Sequence, residues 1–391
     1  MVTDSSFLFG GGPGCTKQSK PGTGFCRRIS SPFHCDGRGL DDAFYRFTRH
    51  RDSDHHGVID KPDLCRLADD IRDAQARIAR FVPPTPLLRT PALDDLLKGE
   101  ISLKAECLQP TGSFKIRGAL NAMSALKSQG ESEVIAFSSG NHGIGVAYAG
   151  RCLEMRPTIV VPHDAPAAKV AFIASLGGHI VTYDRQLEDR EAVAAALQRR
   201  SGAPLVKPYD DWHTISGQGT CGVEATQQTD APFDSAIVCT GGGGLIAGIG
   251  TILRDYHEST SLFTAEPEGW DDHKMSFAAG ARIEAGGNHS GFCDGLLAPI
   301  PGELTFKINT ANDTRGLSTS EDNVKAAMLW GWRHLGLKLE PSGAVALSAL
   351  LEHRDQFVGQ RVLVTLTGGN VDDTLFNAAL RSAGEAAEPN H

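Results

Sequence analysis

Between Leu64 and Leu366, strand-length and helix-length stretches alternate, and this alternation restricts the fold more than any other feature of the chain. Leu64, Leu67, Ile71, Ala74 and Ile78 recur at helical spacing ahead of the Pro83-Pro84 break. Ile101 to Ala105 predicts a strand and Ile116 to Leu126 a helix. Val134 to Phe137 predicts a second strand, followed by a helix over Ile144 to Leu153. Thr158 to Val161 and His179 to Tyr183 read as strands around a helix at Ala167 to Leu176. Ala236 to Cys239 reads as a strand entering a glycine run, Leu245 to Arg254 as a helix, and Arg361 to Leu366 as a late strand. Such a pattern makes βαβ units, hence a mostly parallel sheet covered by helices on both faces. The expected class is α/β, and 391 residues give room for two lobes with separate cores.

Several function classes are disfavoured at once. A formal net charge of -9 supplies no basic footprint for nucleic acid. No apolar run approaches the roughly 20 residues of a membrane-spanning helix. Nine cysteines without regular spacing read as reduced thiols, so a cytoplasmic protein with a small-molecule substrate is expected. Residues 1–38 are rich in Gly, Ser, Pro and basic side chains and are expected to be disordered. Cys15, Cys26 and Cys35 lack the C-x-x-C pairing of a zinc site, and Phe7-Leu8-Phe9 is too short for a signal-peptide core. Asp52, Asp54, His56, Asp60 and Asp63 fall at positions 1, 3, 5, 9 and 12 of an EF-hand loop, with Gly57 at the turn position. A calcium loop and a polar linker with scattered aspartates are both open readings of that segment.

Three motifs carry chemistry. Lys115, in Ser113-Phe114-Lys115-Ile116-Arg117-Gly118-Ala119, opens a helix after a Thr-Gly-Ser turn. A cation at a helix N-terminus is disfavoured, which favours a neutral, nucleophilic amine there. Ser138-Ser139-Gly140-Asn141-His142-Gly143 links a strand to a helix, where open α/β sheets bind ligands and where amides can hold a carboxylate. The third is Gly241, Gly242, Gly243 and Gly244, four consecutive glycines between a strand and an apolar helix, suited to a phosphate nest. An amine for an aldehyde, donors for a ring oxygen and a phosphate nest together match pyridoxal 5′-phosphate (PLP). A dinucleotide site is the rival for the glycines, since Gly242, Gly244 and Ala247 fit G-x-G-x-x-A and Glu266 lies beyond. Glu266 and Asp272 also form a carboxylate group suited to Mg²⁺, Mn²⁺ or Ca²⁺.

In this order the motifs resemble those of the fold-type II PLP enzymes, and among them the serine/threonine dehydratases and serine racemases. Asp164-Ala165-Pro166 with Lys169, Gly217-Gln218-Gly219-Thr220, Glu340-Pro341 and Thr367-Gly368-Gly369-Asn370 extend the match from about Leu67 to Ala379. The resemblance implies a two-domain fold like that of the tryptophan synthase β chain. Residues 67–132 and 216–385 would form a large PLP-binding domain and 133–215 a small one. They would be preceded by an extension at 1–38 and an EF-hand-like segment at 39–66, and followed by a tail at 386–391. It implies Lys115 as the Schiff-base lysine, Phe114 against the ring and Asn141 on the ring oxygen. It further implies Thr367 near the pyridine nitrogen and Ser138, Ser139, Asn141 and His142 around the substrate carboxylate. Ser139 would be the acid/base opposite Lys115, and Glu266, the Trp270 carbonyl and Asp272 would hold a divalent cation. The activity implied is β-elimination from L-threonine or L-serine to a 2-oxo acid and ammonia, with serine racemase and 3-hydroxyaspartate dehydratase as alternatives. A homodimer is expected, as is the absence of a C-terminal regulatory domain. A catalytically silent PLP-binding protein is the reading from outside the enzymes.

Overall fold

The computed structural model describes residues 57–285 and 291–387, all within one compact unit. The elements run α1 (Lys61–Ile78), β1 (Leu87–Leu88), α2 (Pro91–Leu97), β2 (Glu100–Lys104), α3 (Lys115–Ser128), β3 (Glu133–Phe137) and α4 (Asn141–Leu153). Next come β4 (Arg156–Pro162), α5 (Ala167–Ser175), β5 (His179–Tyr183), α6 (Arg190–Ser201), α7 (Trp212–Gln227), β6 (Ser235–Cys239) and α8 (Gly244–Tyr256). The chain continues through β7 (Ser261–Pro267), α9 (Asp272–Ala279), α10 (Glu303–Ala311), β8 (Arg315–Thr319), α11 (Glu321–Leu335), α12 (Pro341–Glu352), β9 (Arg361–Thr365) and α13 (Asp373–Ala387). Among the described residues, no helix is long and apolar enough to cross a membrane.

Two sheets result. β3, β4 and β5 form a parallel three-stranded sheet. The other six strands lie in the order β1-β2-β9-β6-β7-β8, parallel except for β1. The central strands β6 and β9 read as unbroken apolar runs because helices cover both faces, so no polar alternation is required. Helix α3 lies at the junction of the sheets. Its Ile116, Ala119, Leu120 and Met123 pack into one cluster with Val134 of β3, Ile144 of α4 and Ile159 of β4. Each fully buried Ile or Leu of this kind contributes about 1.5–3 kcal/mol.

Two expected boundaries fall inside helices. α1 starts at Lys61, not at the expected domain edge near 67, because Asp60 caps it. The Asp60 carboxylate accepts the Asp63 amide at 3.0 Å, and the Asp63 carboxylate accepts the Asp60 amide at 3.2 Å. α7 likewise starts at Trp212, capped by Asp211 through the Thr214 amide at 2.7 Å, so the edge expected at 215/216 lies within its first turn. The other EF-hand candidates, Asp52, Asp54 and His56, lie outside the described residues. Asp60 and Asp63 serve as helix caps.

The most expensive groups in the interior are ionic. Arg117 donates from Nε and Nη2 to the Glu106 carboxylate at 2.7 and 2.8 Å. It also donates from Nη1 and Nη2 to Glu224, both at 2.7 Å. Lys104 Nζ adds a 2.8 Å bond to Glu224. All four side chains are buried. Burial pushes the Glu106 carboxyl up, but the Arg117 guanidinium outweighs it and the net shift is below the usual 4.5. Its contribution to stability is therefore complete above pH 4.5 and lost as the pH falls through its depressed folded value. Arg117→Met leaves two carboxylates without their shared cation and should cost about 3–5 kcal/mol in urea unfolding. A loss below about 1 kcal/mol, the worth of a surface pair, would show that the network carries no such weight.

Candidate active site

Every candidate residue for the cofactor and the substrate sits beyond the carboxyl ends of the parallel strands, where connections leave the sheets for helices. Lys115 is the first residue of α3, and its Nζ donates to the Pro208 carbonyl at 2.9 Å. Phe114 precedes it with its ring centroid 5.0 Å from that Nζ. Burial lowers the Lys115 amine to about 8. The cause is desolvation, whereas the sequence suggested the helix terminus. Helix α4 passes close by, since a Cβ on Gly145 would lie 3.2 Å from the Lys115 carbonyl.

The turn after β3 brings the next group. Ser138 Oγ accepts the Gly140 amide at 3.2 Å. The amides of Asn141, His142 and Gly143 then head α4, where no carbonyl of the helix can accept them. Ser139 is half-buried, and its hydroxyl meets no partner among the described residues. Asn141 is held from both ends. Its Nδ2 donates to Glu340 Oε1 at 2.6 Å and its Oδ1 accepts from Asn370 Nδ2 at 2.7 Å. The orientation of this amide is thereby set, leaving one Nδ2 hydrogen for a ligand oxygen. Burial, and next the Asp294 charge, raise Glu340 to about 7. His142 faces inward. Its Nε2–H donates to the Val206 carbonyl at 2.9 Å, and burial followed by the Lys115 charge lowers it to about 3. A substrate would therefore meet the backbone of His142 and not its ring.

The glycine run forms a cradle. The amides of Gly241, Gly242 and Gly243 donate to nothing among the described residues, and Gly244 opens α8. Gly243 has φ +90°, a conformation that a side chain resists. A Cβ on Gly242 would collide with the Tyr209 ring. Behind the loop, Thr305 Oγ1 donates to the Gly242 carbonyl at 2.6 Å and Asn309 Nδ2 to that of Gly243 at 3.3 Å. Asp210 caps the helix carrying both, accepting the Leu304 amide at 2.8 Å. The Thr367 carbonyl accepts the Phe114 amide at 3.2 Å, and its side chain is buried. A free amine, a fixed amide and three unpartnered N–H groups fit an aldehyde, a ring oxygen and a phosphate, which are the parts of PLP.

Glu266 ends β7 and Asp272 opens α9, both fully buried. Glu266 accepts the His273 and Lys274 amides at 2.9 and 3.0 Å, so it faces α9 and not a ribose, which removes the dinucleotide reading of the glycines. Burial raises both carboxyls. His273 joins them. Burial opposes its charge, but Asp272 and Glu266 outweigh that and raise it to about 9. Neither Asp272 oxygen has a hydrogen-bond partner, a donor set that fits a divalent cation. Trp270 lies in the intervening turn, its amide donating to the Pro267 carbonyl at 3.0 Å. Sequence reasoning missed Pro208, Tyr209, Asp210, Thr305 and Asn309, because each acts through a contact distant along the chain, and it missed His273 beside Asp272. Glu340 was singled out only within a motif.

If the Lys115 amine titrates near 8, reductive trapping of an aldehyde on the cofactor-free chain should accelerate about tenfold per pH unit up to that value and then level off. A rate still climbing at the ordinary lysine value of about 10.4 would contradict the burial effect.

Comparison with known proteins gives the family. A family model described as "Pyridoxal-phosphate dependent enzyme" matches residues 78–368. The L-threo-3-hydroxyaspartate ammonia-lyase of a Pseudomonas species is 37% identical over 313 residues, spanning 80% of this chain and 98% of that protein. The structure of maize serine racemase aligns with a TM-score of 0.75 at 35% identity, covering 82% of this chain and 99% of that one. A processed threonine deaminase isoform from Solanum lycopersicum aligns at 0.79 with 30% identity, covering 84% and 90%. With a lysine, a fixed asparagine and a glycine cradle at the ends of its strands, the chain belongs to the PLP-dependent enzymes of fold-type II.

Proposed function

We propose that this protein catalyses β-elimination from a β-hydroxy amino acid, L-threonine or L-serine first, yielding a 2-oxo acid and ammonia. The observation that carries this reading is the amine of Lys115, lowered by burial to about 8, beside the open amides of α4 and the cradle at Gly241 to Gly244. PLP, when bound, supplies an electron sink for charge developing at the substrate Cα. Lys115 is the base for the Cα proton, and its depressed pKa keeps a useful neutral fraction at physiological pH. The amides heading α4 seat the carboxylate, and the fixed Asn141 amide orients the ring. Glu266 and Asp272 hold a divalent cation in this reading.

A second substrate, 3-hydroxyaspartate, is supported by the likeness to the L-threo-3-hydroxyaspartate ammonia-lyase of the Pseudomonas species.

A panel of L-Thr, L-Ser, D-Ser and the 3-hydroxyaspartate isomers should yield 2-oxo acid from at least one L-substrate, and Lys115→Ala should abolish it. Near-wild-type turnover in that variant would refute the assignment, and a wild type that binds PLP yet turns over nothing would support a silent binder.

Ser139 separates two outcomes of the same deprotonated carbon. Ser139→Ala should reduce racemisation and D-serine elimination far more than L-serine elimination, because only the former need a proton carrier on the opposite face. Equal losses for both enantiomers would assign Ser139 to binding alone.

A further inference from the structure

The two halves of the site belong to different sheets. The amides heading α4 follow β3 of the three-stranded sheet, and the glycine cradle follows β6 of the six-stranded one. A ligand held by both must enter and leave between them. Lys169 and Asp294 span that gap. Lys169 Nζ donates to Asp294 Oδ2 at 2.9 Å, across 125 residues of sequence.

The two ends of the pair are mounted differently. Asp294 begins the short turn Asp294–Leu296, which is fastened on two sides. The Gly295 amide donates to Ser342 Oγ of α12 at 2.9 Å, and Leu296 packs in one core cluster with Ile237 and Cys239 of β6. A Cβ on Gly241 would lie 3.2 Å from the Leu296 Cα, so this turn walls the cradle. Lys169 stands on α5, a nine-residue helix packed on α4 and β5, of which only Ile173 is buried. A helix with so little apolar contact belongs to the least stable part of a structure. Ile173 is wedged between two glycines. A Cβ on Gly143 would meet its Cδ1 at 3.2 Å, and one on Gly178 its Cγ2 at 2.8 Å. Gly143 is the third residue of α4, so a shift of α5 reaches the amides that seat a carboxylate.

We propose that the Lys169–Asp294 pair is the latch of this cleft. Formed, it holds α5 and the α4 amides against the cradle wall, and its rupture admits and releases the amino acid. Its strength suits that task. Lys169 is 23% exposed and Asp294 54%, so water and ions screen the pair. Such a pair is worth no more than about fivefold in an equilibrium, enough to bias closure without blocking release. The inference rests on the reading of the cleft as an amino-acid site, and not on which bond is broken there.

Glycine is the probe, since it has no β-carbon and therefore nothing to eliminate. It is bound to the cofactor-loaded full-length protein, and its release on dilution is followed by cofactor absorbance in stopped flow. Lys169→Met and Asp294→Asn should each speed release about two- to fivefold. The double variant should be no faster than the faster single one, because either change breaks the same contact. Raising KCl from about 0.05 to about 0.5 M should speed release from the wild type, and do so less in either variant. The rival account is that Lys169 merely attracts an anionic ligand through its field. Lys169→Met would then speed release while Asp294→Asn, which removes an opposing charge, would slow it, and such opposite signs overturn the proposal. Wild-type rates in both single variants, additive effects in the double, or an undiminished salt response overturn it as well, with glycine binding left intact. A cofactor that never responds to glycine would instead remove the amino-acid reading of the cleft, and the latch with it.

Discussion

Arg117 is shared by two buried carboxylates, Glu106 beyond β2 and Glu224 in α7, and the place of the reactive amine follows from that sharing. An unpaired guanidinium in such an interior would be prohibitively costly, so the three elements must meet in one arrangement or the chain must open. Lys115 stands two residues earlier on the same helical turn. The helical turn that carries it is thus anchored by ionic bonds, while its tip lies over the Phe114 ring and donates to the Pro208 carbonyl. Close packing completes the constraint. A Cβ on Gly217 of α7 would come within 2.6 Å of the Arg117 carbonyl, so α3 and α7 approach to a distance that only glycine permits.

The glycine cradle depends on a different kind of support. The loop at 208–210 touches three parts of the site in succession. Pro208 takes the amine, Tyr209 lies against Gly242, and Asp210 caps the helix whose Thr305 and Asn309 grip the glycine carbonyls. With their carbonyls engaged from behind, the glycines turn their amides outward. The nest is therefore oriented by neutral hydrogen bonds that cost no reorganisation when an anion arrives.

Much of this was legible along the chain, and the reason differs by element. The strands β3, β4, β5, β6 and β9 and the helices α3, α4 and α8 each announce themselves by local pattern, and the glycine run and the turn at Ser138 sit between them as expected. α1 was legible by its apolar spacing, but its first residue was not, because the cap at Asp60 also fits a calcium-loop position. The Arg117 network was hidden, since Glu106 and Glu224 are 118 residues apart in sequence and neither is unusual alone. His273 was hidden for a related reason. One histidine after two aspartates looks like a solvated turn until β7 is seen to bury it beside Glu266. The direction of the Lys115 shift could be anticipated, yet its cause required knowing what excludes water.

At the mouth of the site, Lys169 of α5 donates to Asp294 at 2.9 Å, joining the helix beside the three-stranded sheet to the wall next to Gly241. Both members of that pair act on the buried Glu340, Asp294 raising its pKa and Lys169 lowering it. Lys169 offsets only part of the Asp294 effect, and the pair is partly exposed and open to salt. Any motion that parts the two tips the field at Glu340, and with it the acceptor that holds Asn141. A salt-sensitive ion pair at the rim is thus coupled, through one buried carboxyl, to the acceptor that orients the Asn141 amide.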